Sequence, residues 1–298
     1  ARRQRQMCIR DRAKINLFLD IVGRLDNGYH SLFMIMQAVG LADTVTVESA
    51  ESGIELSCSE PRLPCGEKNI AYKAAKAFFE ATGVKGGVRL HIDKRIPFEA
   101  GLAGGSADAA ATLVGLNELY GLPLGERELC EIGLRVGSDV PFCIVGGTCL
   151  SQNTGGVLSY LKPLKQCSIV ISKPVKGVST AEAYSAADSV YLYHPDSMRM
   201  LDACERGDFG GICRYAGNVF EQVVEVVERV EIKRIMREEG AALAQMSGSG
   251  PSVFALFEDE AAAARCAERL RPICPQTYVT YPLERGAAVI EKNEGASK

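Results

Sequence analysis

PFEAGLAGGSADAAAT, residues 97–112, joins a glycine-rich loop directly to an alanine-rich segment of strong helix propensity. Its glycines lack side chains, so the backbone there can approach a neighbour closely or adopt positive φ. Ser106 is predicted to cap a helix over residues 107–120, where apolar residues recur at helical spacing. Free N–H groups at a helix start, backed by the positive end of the helix dipole, suit a phosphate group. We therefore expect a phosphate site at this Gly-rich loop (residues 97–106).

The spacing of the glycines separates this loop from two common nucleotide-binding motifs. No Gly-Lys-Ser/Thr follows the glycines, so the loop is not a Walker A motif. The order G-x-x-G-G-S also differs from the dinucleotide fingerprint G-x-G-x-x-G. A plain strand–helix turn without a ligand is the alternative, because glycine-rich turns before helices are common.

Composition is typical of a soluble globular protein with room for two domains. It has 298 residues, of which 47% are hydrophobic and 24% charged, and a net charge of −3. This charge and the lack of an internal basic stretch argue against nucleic acid as a partner. The longest uncharged run, residues 140–161, is rich in glycine, serine and amides, so no membrane partner is expected.

Cysteine and histidine usage indicates a reducing compartment without a histidine metal centre. The 11 cysteines are scattered without C-x-x-C pairs, which favours reduced, mostly buried thiols and a cytoplasmic protein. Only 3 histidines are present.

Residues 1–12, ARRQRQMCIRDR, differ from the rest of the chain. Five arginines and no apolar core exclude a signal peptide, and the string resembles translated sequencing-adapter DNA. We expect a non-native or disordered tail outside the fold.

Strands and helices interleave without a regular βαβ rhythm, which favours an α+β fold. Residues 13–20 alternate as a strand whose one face is apolar and whose other face carries Lys14 and Asn16. Residues 69–81 read as a helix with Asn69 at its cap, and residues 217–239 as a longer helix with a valine stripe.

Several motifs occur in an order that resembles the superfamily of galactokinase, homoserine kinase, mevalonate kinase and phosphomevalonate kinase, the GHMP kinases. They are AKINLFL at 13–19, DNGYH at 26–30, PFEAGLAGGSADAA at 97–110, GSDVP at 137–141, GVSTAEAY at 177–184 and MSGSGPSVFALF at 246–257. The resemblance implies a two-domain kinase that uses ATP and Mg²⁺. Its N-terminal domain (13–158) would be of the ribosomal-protein-S5-like kind and its C-terminal domain (159–298) ferredoxin-like. It leaves the metal ligands and the oligomeric state open.

The resemblance assigns the catalytic roles to Asp139 as base and Lys14 as its cationic partner. An Asx-turn residue before Val-Pro is the alternative for Asp139, and an exposed strand face would explain Lys14 equally well. In phosphoryl transfer the transition state is loose, so a carboxylate of ordinary pKa can orient the hydroxyl and accept its proton late.

The same resemblance places ATP along the Gly-rich loop, with the helix start behind it. Helix capping would also explain Asn69, and a solvated strand end would explain Lys94. The implied ATP-binding residues are Asn69, Lys94, Pro97, Gly101, Leu102, Ala103, Gly104, Gly105, Ser106 and Ala107.

The residues predicted to bind the acceptor substrate are Asn16, Tyr29, His30 and Tyr184. Aromatic faces stack on a pyrimidine, and an imidazole can read its hydrogen-bonding edge. The resemblance is therefore to the branch that phosphorylates the 2-hydroxyl of a cytidine diphosphate-linked polyol in isoprenoid precursor synthesis. A sister kinase acting on homoserine or another small alcohol, or a non-catalytic nucleotide-binding module, is the alternative.

One segment departs from the pattern of the resemblance. Relatives carry an acidic, glycine-containing run like EGxGE where this chain has SQNTGG at 151–156. The electrostatics beside the acceptor are expected to differ there.

Overall fold

The structure, a computed structural model, describes residues 5–26 and 28–294. Residues 1–4 of the predicted tail, Asn27 of the DNGYH motif and residues 295–298 lie outside the described residues. The strands are β1 (Arg5–Arg10), β2 (Lys14–Arg24), β3 (His30–Ala38), β4 (Thr44–Ala50), β5 (Gly53–Cys58), β6 (Gly87–Asp93), β7 (Thr148–Asn153), β8 (Val157–Tyr160), β9 (Ser168–Lys173), β10 (Gly217–Asn218), β11 (Leu243–Met246), β12 (Val253–Phe257), β13 (Gln276–Thr280) and β14 (Ala288–Glu294). The helices are α1 (Ile70–Thr82), α2 (Gly104–Tyr120), α3 (Glu126–Leu134), α4 (Val140–Val145), α5 (Thr180–Asp188), α6 (Ser197–Arg206), α7 (Phe209–Tyr215), α8 (Arg229–Glu238), α9 (Glu260–Leu270) and a 3-10 helix at Val219–Gln222.

The first sheet has the order β14-β1-β4-β6-β5, and helices α1 and α2 pack on it. Strand β1 lies between β14 and β4 and pairs antiparallel with both. The prediction of a tail outside the fold is therefore wrong for residues 5–12. Met7 and Ile9 alternate with polar neighbours and are buried, a period-2 pattern hidden among the arginines.

Helix α2 explains why the segment after the Gly-rich loop is rich in alanine. Most of its residues are buried, and it contacts β1 and β4. A Cβ on Gly115 would lie 2.6 Å from Ile9 Cδ1 and 2.7 Å from Val47 Cγ2. Small side chains thus let the helix approach the sheet closely, and overpacking such a site costs roughly 1–3 kcal/mol.

The second sheet has the order β10-β2-β3-β7-β8 and carries the first motif. The pairing of β2 with β3 shifts register between Asn16 and Phe18, which breaks the simple alternation predicted for residues 13–20. Lys14 is 4% exposed and Asn16 is fully buried. The alternative of an exposed polar strand face is thereby excluded.

The third sheet belongs to the second domain and has the order β11-β12-β9-β13. The chain enters at β9, passes through helices, pairs β11 with β12, and returns by α9 to β13. This β-α-β-β-α-β path confirms the α+β, ferredoxin-like prediction.

The predicted domain boundary between residues 158 and 159 is corrected at two places. Strand β8 crosses it and ends at Tyr160, still paired with β7 of the second sheet. Strand β14, at the end of the chain, pairs with β1 in the first sheet. Both corrections depend on pairing between strands far apart in the chain, so local composition could not predict them.

Residues 217–239 do not form the single helix that their valine stripe predicts. A two-residue strand and a 3-10 helix precede α8, which begins only at Arg229. Asn218 explains the break: its Oδ1 accepts a hydrogen bond from Phe220 N, and its Nδ2 donates to Met246 O and Gly248 O at 2.8 Å each. Tertiary contacts here override local helix propensity.

Candidate active site

A cavity of about 820 Å³ opens where the Gly-rich loop, the start of β2, helix α5 and the turn at residues 246–250 meet. The predicted site residues line its wall, with two exceptions, Asn16 and Ala107. Ala107 is buried inside α2, and its N–H donates to Ala103 O at 2.9 Å. Residues from both domains thus share one cavity.

Lys14 and Asp139 meet on this wall although 125 positions separate them in the chain. Lys14 Nζ lies 3.8 Å from Asp139 Oδ2, and the Asp139 side chain is 28% exposed. Asp139 directly precedes α4 and makes no capping hydrogen bond to it, which disfavours a purely local turn role. The buried ammonium of Lys14 and the partly exposed carboxylate of Asp139 thus form an ion pair at the cavity wall.

Asn16 positions Lys14 and does not reach the cavity wall. Its Oδ1 accepts a hydrogen bond of 2.6 Å from Lys14 Nζ, which also donates to Gly101 O at 3.2 Å. The Asn16 Nδ2 atom is buried and has no hydrogen-bond partner among the described residues. The predicted contact of Asn16 with substrate stays a prediction, whereas its hydrogen bond with Lys14 is observed.

The Gly-rich loop is fastened to the turn at residues 246–250. Gly101 O accepts a hydrogen bond of 2.9 Å from Ser247 Oγ, and Ser252 N donates to Ala100 O at 3.4 Å. A Cβ on Gly101 would lie 2.1 Å from Ser247 O. Glycine is therefore required at position 101 because the turn of the second domain lies too close for a side chain. The φ of +73° at Gly101 also favours glycine.

Helix α2 begins three residues earlier than predicted, so Ser106 is not its cap. Ala103 occupies the N-cap position in a left-handed conformation, φ 57° and ψ 30°, and makes no side-chain capping bond. An alanine cannot accept the N–H groups of the first turn, so these groups remain for a ligand anion. The helix begins with Gly104 and Gly105. Ser106 lies in its first turn and lines the cavity.

Asn69 caps α1 as predicted. Its Oδ1 accepts from Ala71 N at 2.8 Å, and its Nδ2 donates to Pro64 O at 2.8 Å. Both polar groups of the side chain thus have intramolecular partners. The residue lines the cavity, and a contact with adenine stays a prediction.

Lys94 is buried among carboxylates at the back of the Gly-rich loop. Its Nζ bonds Asp43 Oδ2 and lies 2.8 Å from Asp108 Oδ2, while Asp11 accepts a hydrogen bond from Asp43 N. Burial, with the charge of Asp43 adding to it, raises the pKa of Asp108 to about 7 against the opposing pull of Lys94. The lysine therefore already serves as the cation of this acidic cluster, and its contact with phosphate stays a prediction.

The acceptor end brings His30 and Tyr184 together. Their ring centroids are 4.6 Å apart at an interplanar angle of 20°, and Phe220 meets Tyr184 edge to face at 5.0 Å. Burial, followed by the charge of Asp139, raises the pKa of Tyr184 to about 12. The face of Tyr184 that His30 covers is closed to a base while the rings stay stacked, whereas Tyr29 is 67% exposed.

The segment that departs from the family pattern lies beside the carboxylate. Thr154 lines the cavity, and a Cβ on Gly155 would come within 2.9 Å of Ser138 O, next to Asp139. Residues 151–156 thus contribute a neutral threonine, Thr154, to the cavity wall and no acidic side chain.

Sequence reasoning missed Asn218 and Asp188, and it gave the side chain of Ser247 no role. Asn218 donates to the main chain of the 246–250 turn, and no local pattern marks it. Ser247 lies in the MSGSG motif, and its Oγ donates to Gly101 O of the Gly-rich loop. Asp188 Oδ1 lies 2.7 Å from His30 Nε2. Asp188 follows Tyr184 by four residues, and this spacing, typical of neighbours on one side of a helix, could have found it.

Family models match the chain along its two-domain division. The model of the GHMP kinase N-terminal domain matches residues 69–147, and that of the GHMP kinase C-terminal domain matches residues 200–275. The fold is therefore that of a GHMP kinase, as the motifs predict.

Relatives narrow the assignment within that class. The 4-diphosphocytidyl-2-C-methyl-D-erythritol kinase of Clostridium botulinum is 41% identical over 279 residues, 92% of this chain and 99% of the relative. That of Exiguobacterium sibiricum is 46% identical over 270 residues, 90% of this chain and 94% of the relative. The chain belongs to the family of 4-diphosphocytidyl-2-C-methyl-D-erythritol kinases.

Solved structures agree with this membership. A 4-(cytidine 5'-diphospho)-2C-methyl-D-erythritol kinase superposes with a TM-score of 0.76 at 32% identity, over 93% of this chain and 99% of that one. A homoserine kinase from Cytophaga hutchinsonii gives 0.78 at 19% identity, over 96% and 97%, which shows the shared fold alone. Among the described residues, every helix is too short or too polar to cross a membrane.

Proposed function

We propose that the protein transfers the γ-phosphoryl group of ATP to the 2-hydroxyl of 4-diphosphocytidyl-2-C-methyl-D-erythritol, a step of non-mevalonate isoprenoid precursor synthesis. The single observation that carries the mechanism is the Lys14–Asp139 pair, 3.8 Å apart on the cavity wall that also holds the Gly-rich loop. The motifs of the acceptor side and the family membership support the choice of substrate.

The reaction divides between the two halves of the cavity. The triphosphate lies along the Gly-rich loop, where the uncapped first turn of α2 offers N–H donors to phosphate oxygens. The acceptor hydroxyl faces Asp139, its oxygen bonds to the γ-phosphorus, and the bond from that phosphorus to the β–γ bridging oxygen breaks. Asp139 takes the hydroxyl proton, and ADP leaves with the bridging oxygen.

Lys14 serves both the base and the transferring group. Its ammonium pairs with the Asp139 carboxylate and offsets negative charge on the phosphoryl oxygens. Two further contacts, to Asn16 Oδ1 and Gly101 O, fix the ammonium in place. A preorganised cation of this kind needs no rearrangement during the reaction.

The oxygen atoms near the loop fit a magnesium ion that arrives with ATP. Ser106 and Asp108 lie in the same stretch of α2 and line the cavity, and Asp108 Oδ1 is buried without a hydrogen-bond partner among the described residues. Mg²⁺ prefers such oxygens together with substrate phosphates. These two residues would hold it, and the ion would neutralise charge on the phosphates.

The test is ADP release with Mg-ATP and one of three alcohols: the cytidine acceptor, homoserine or mevalonate. We expect turnover with the cytidine acceptor alone, and a loss of roughly 10²–10⁴-fold in kcat for Asp139→Asn. Asp202→Asn, an exposed carboxylate paired with Arg206, is the matched control and should keep the wild-type rate. ADP release only with another alcohol, or ATP binding without release, would overturn the proposal.

A further inference from the structure

Helix α5 contacts the imidazole of His30 with two side chains. Tyr184 lies against the ring face at 4.6 Å, and Asp188 Oδ1 lies 2.7 Å from Nε2. The two residues are four positions apart, so they share one side of the helix. One side chain therefore sets the plane of the ring and the other sets its hydrogen bonding.

The Asp188 carboxylate determines which ring nitrogen carries the proton. The hydrogen bond from His30 is the main cause that lowers the pKa of Asp188, so the carboxylate is ionised and accepts only. Nε2 must then hold the hydrogen, and in the neutral ring Nδ1 is left with its lone pair as an acceptor. Arg24 Nη2 donates to the other carboxylate oxygen at 2.6 Å, which keeps Asp188 in this orientation.

An acceptor nitrogen on His30 distinguishes two pyrimidines of the same shape. Cytosine carries an amino donor at position 4, whereas uracil carries a carbonyl acceptor there. Nδ1 can accept from the amino group, but it would face the uracil oxygen lone pair against lone pair. His30 lines the cavity, and because Asp188 engages Nε2, Nδ1 is the ring nitrogen left for a base bound there.

We propose that Asp188 is a positioning residue that fixes the His30 tautomer and thereby makes the site select cytosine over uracil. The proposal deepens the proposed function and rests on it. It assigns a role in acceptor choice to a surface carboxylate of the second domain, which does not need to touch the base.

Arg24 makes the Asp188→Asn variant diagnostic. A guanidinium only donates, so the amide oxygen of the variant stays on Arg24 and the amide NH₂ faces Nε2. Nε2 then accepts, and the ring proton moves to Nδ1. The variant is thus expected to present a donor to the base, which matches the uracil oxygen.

The kinetic test compares kcat/KM for the cytidine acceptor and its uridine counterpart. For Asp188→Asn we expect the ratio of the two to fall roughly 10- to 100-fold, the range for a donor left facing a donor. The change should lie in KM for the acceptor, with KM for ATP unchanged. Asp202→Asn should keep the wild-type ratio, and Asp188→Ala should give a smaller loss because neither tautomer is imposed.

A spectroscopic test measures the tautomer of His30 directly. With 3 histidines in the chain, the ring ¹⁵N shifts of His30 can be assigned by comparison with His30→Gln. We expect a protonated Nε2 in the wild type and a protonated Nδ1 in Asp188→Asn. A protonated Nδ1 in the wild type, or an equal loss for both nucleotides in Asp188→Asn, would overturn the proposal. No turnover of the cytidine acceptor by the wild type would instead refute the proposed function and leave the tautomer measurement standing.

Discussion

Replacing Gly101 with alanine should separate the Gly-rich loop from the turn that holds it. The backbone at Gly101 has a φ of +73°, and a Cβ there would lie 2.1 Å from Ser247 O. The left-handed conformation costs roughly 1–2 kcal/mol for an alanine. The collision adds roughly 1–3 kcal/mol, the cost of an overpacked site. We therefore expect Gly101→Ala to lower the free energy of unfolding by roughly 2–5 kcal/mol.

Gly83 provides the matched control, because it has a similar positive φ without the close neighbour. Its φ is +65°, and a Cβ there would have nothing within 4 Å. Gly83→Ala should therefore lose only the conformational part, roughly 1–2 kcal/mol. The difference between the two variants isolates the contact of the loop with Ser247.

Urea unfolding and steady-state kinetics together check this reasoning. A shift of about 1 Å in the loop would misplace the triphosphate, so kcat should fall about 100-fold in Gly101→Ala and stay unchanged in Gly83→Ala. If the two variants lose equal stability and both keep full kcat, the loop does not depend on the 246–250 turn, and the argument fails.

Three further outcomes follow from the site. Lys14→Met should lower kcat roughly 10²–10³-fold with little change in KM for ATP, which steady-state kinetics will show; a wild-type kcat would remove the lysine from the mechanism. Burial raises the pKa of Asp108 to about 7, so between pH ~4 and pH ~7 the folded state keeps a proton that the unfolded chain releases. The stability of the wild type therefore falls as pH rises through that window. Urea titrations at several pH values should show the free energy of unfolding of Asp108→Asn increasing with pH relative to that of the wild type. A difference that does not change with pH would contradict this. Chelation of Mg²⁺ with EDTA should stop ADP release, and excess Mg²⁺ should restore it in a coupled assay; undiminished release would count against the metal.

The ordered motifs predicted the family and the fold class, and all but two of the predicted site residues lie on the cavity wall. They could do so because a glycine loop running into a helix is local chemistry, and because Lys14 on a strand and Asp139 in a turn are recognisable in their own surroundings. The capping role of Asn69 was likewise readable from a few neighbouring residues.

The errors fall where non-local contacts outweigh local propensity. Arg5–Arg10 became a strand because β4 and β14 pair with it on both sides. The helix predicted over residues 217–239 is broken because Asn218 bonds the 246–250 turn. Ser106 lost the capping position to Ala103, whose left-handed backbone is sustained by the packed loop around it.

The sequence by itself determined the local elements and the chemical types available to the site, since hydrophobic period, caps and glycines act over a few residues. Only the tertiary structure decided which of these residues meet. It places Gly101 too close to Ser247 for a side chain, and it pairs Lys94 with Asp43 and Asp108. It also brings Asp188 within hydrogen-bond distance of His30. Each of these depends on a distance between residues far apart in the chain. Such distances are set by how sheets and helices pack, and packing is a property of the whole chain that no short segment encodes.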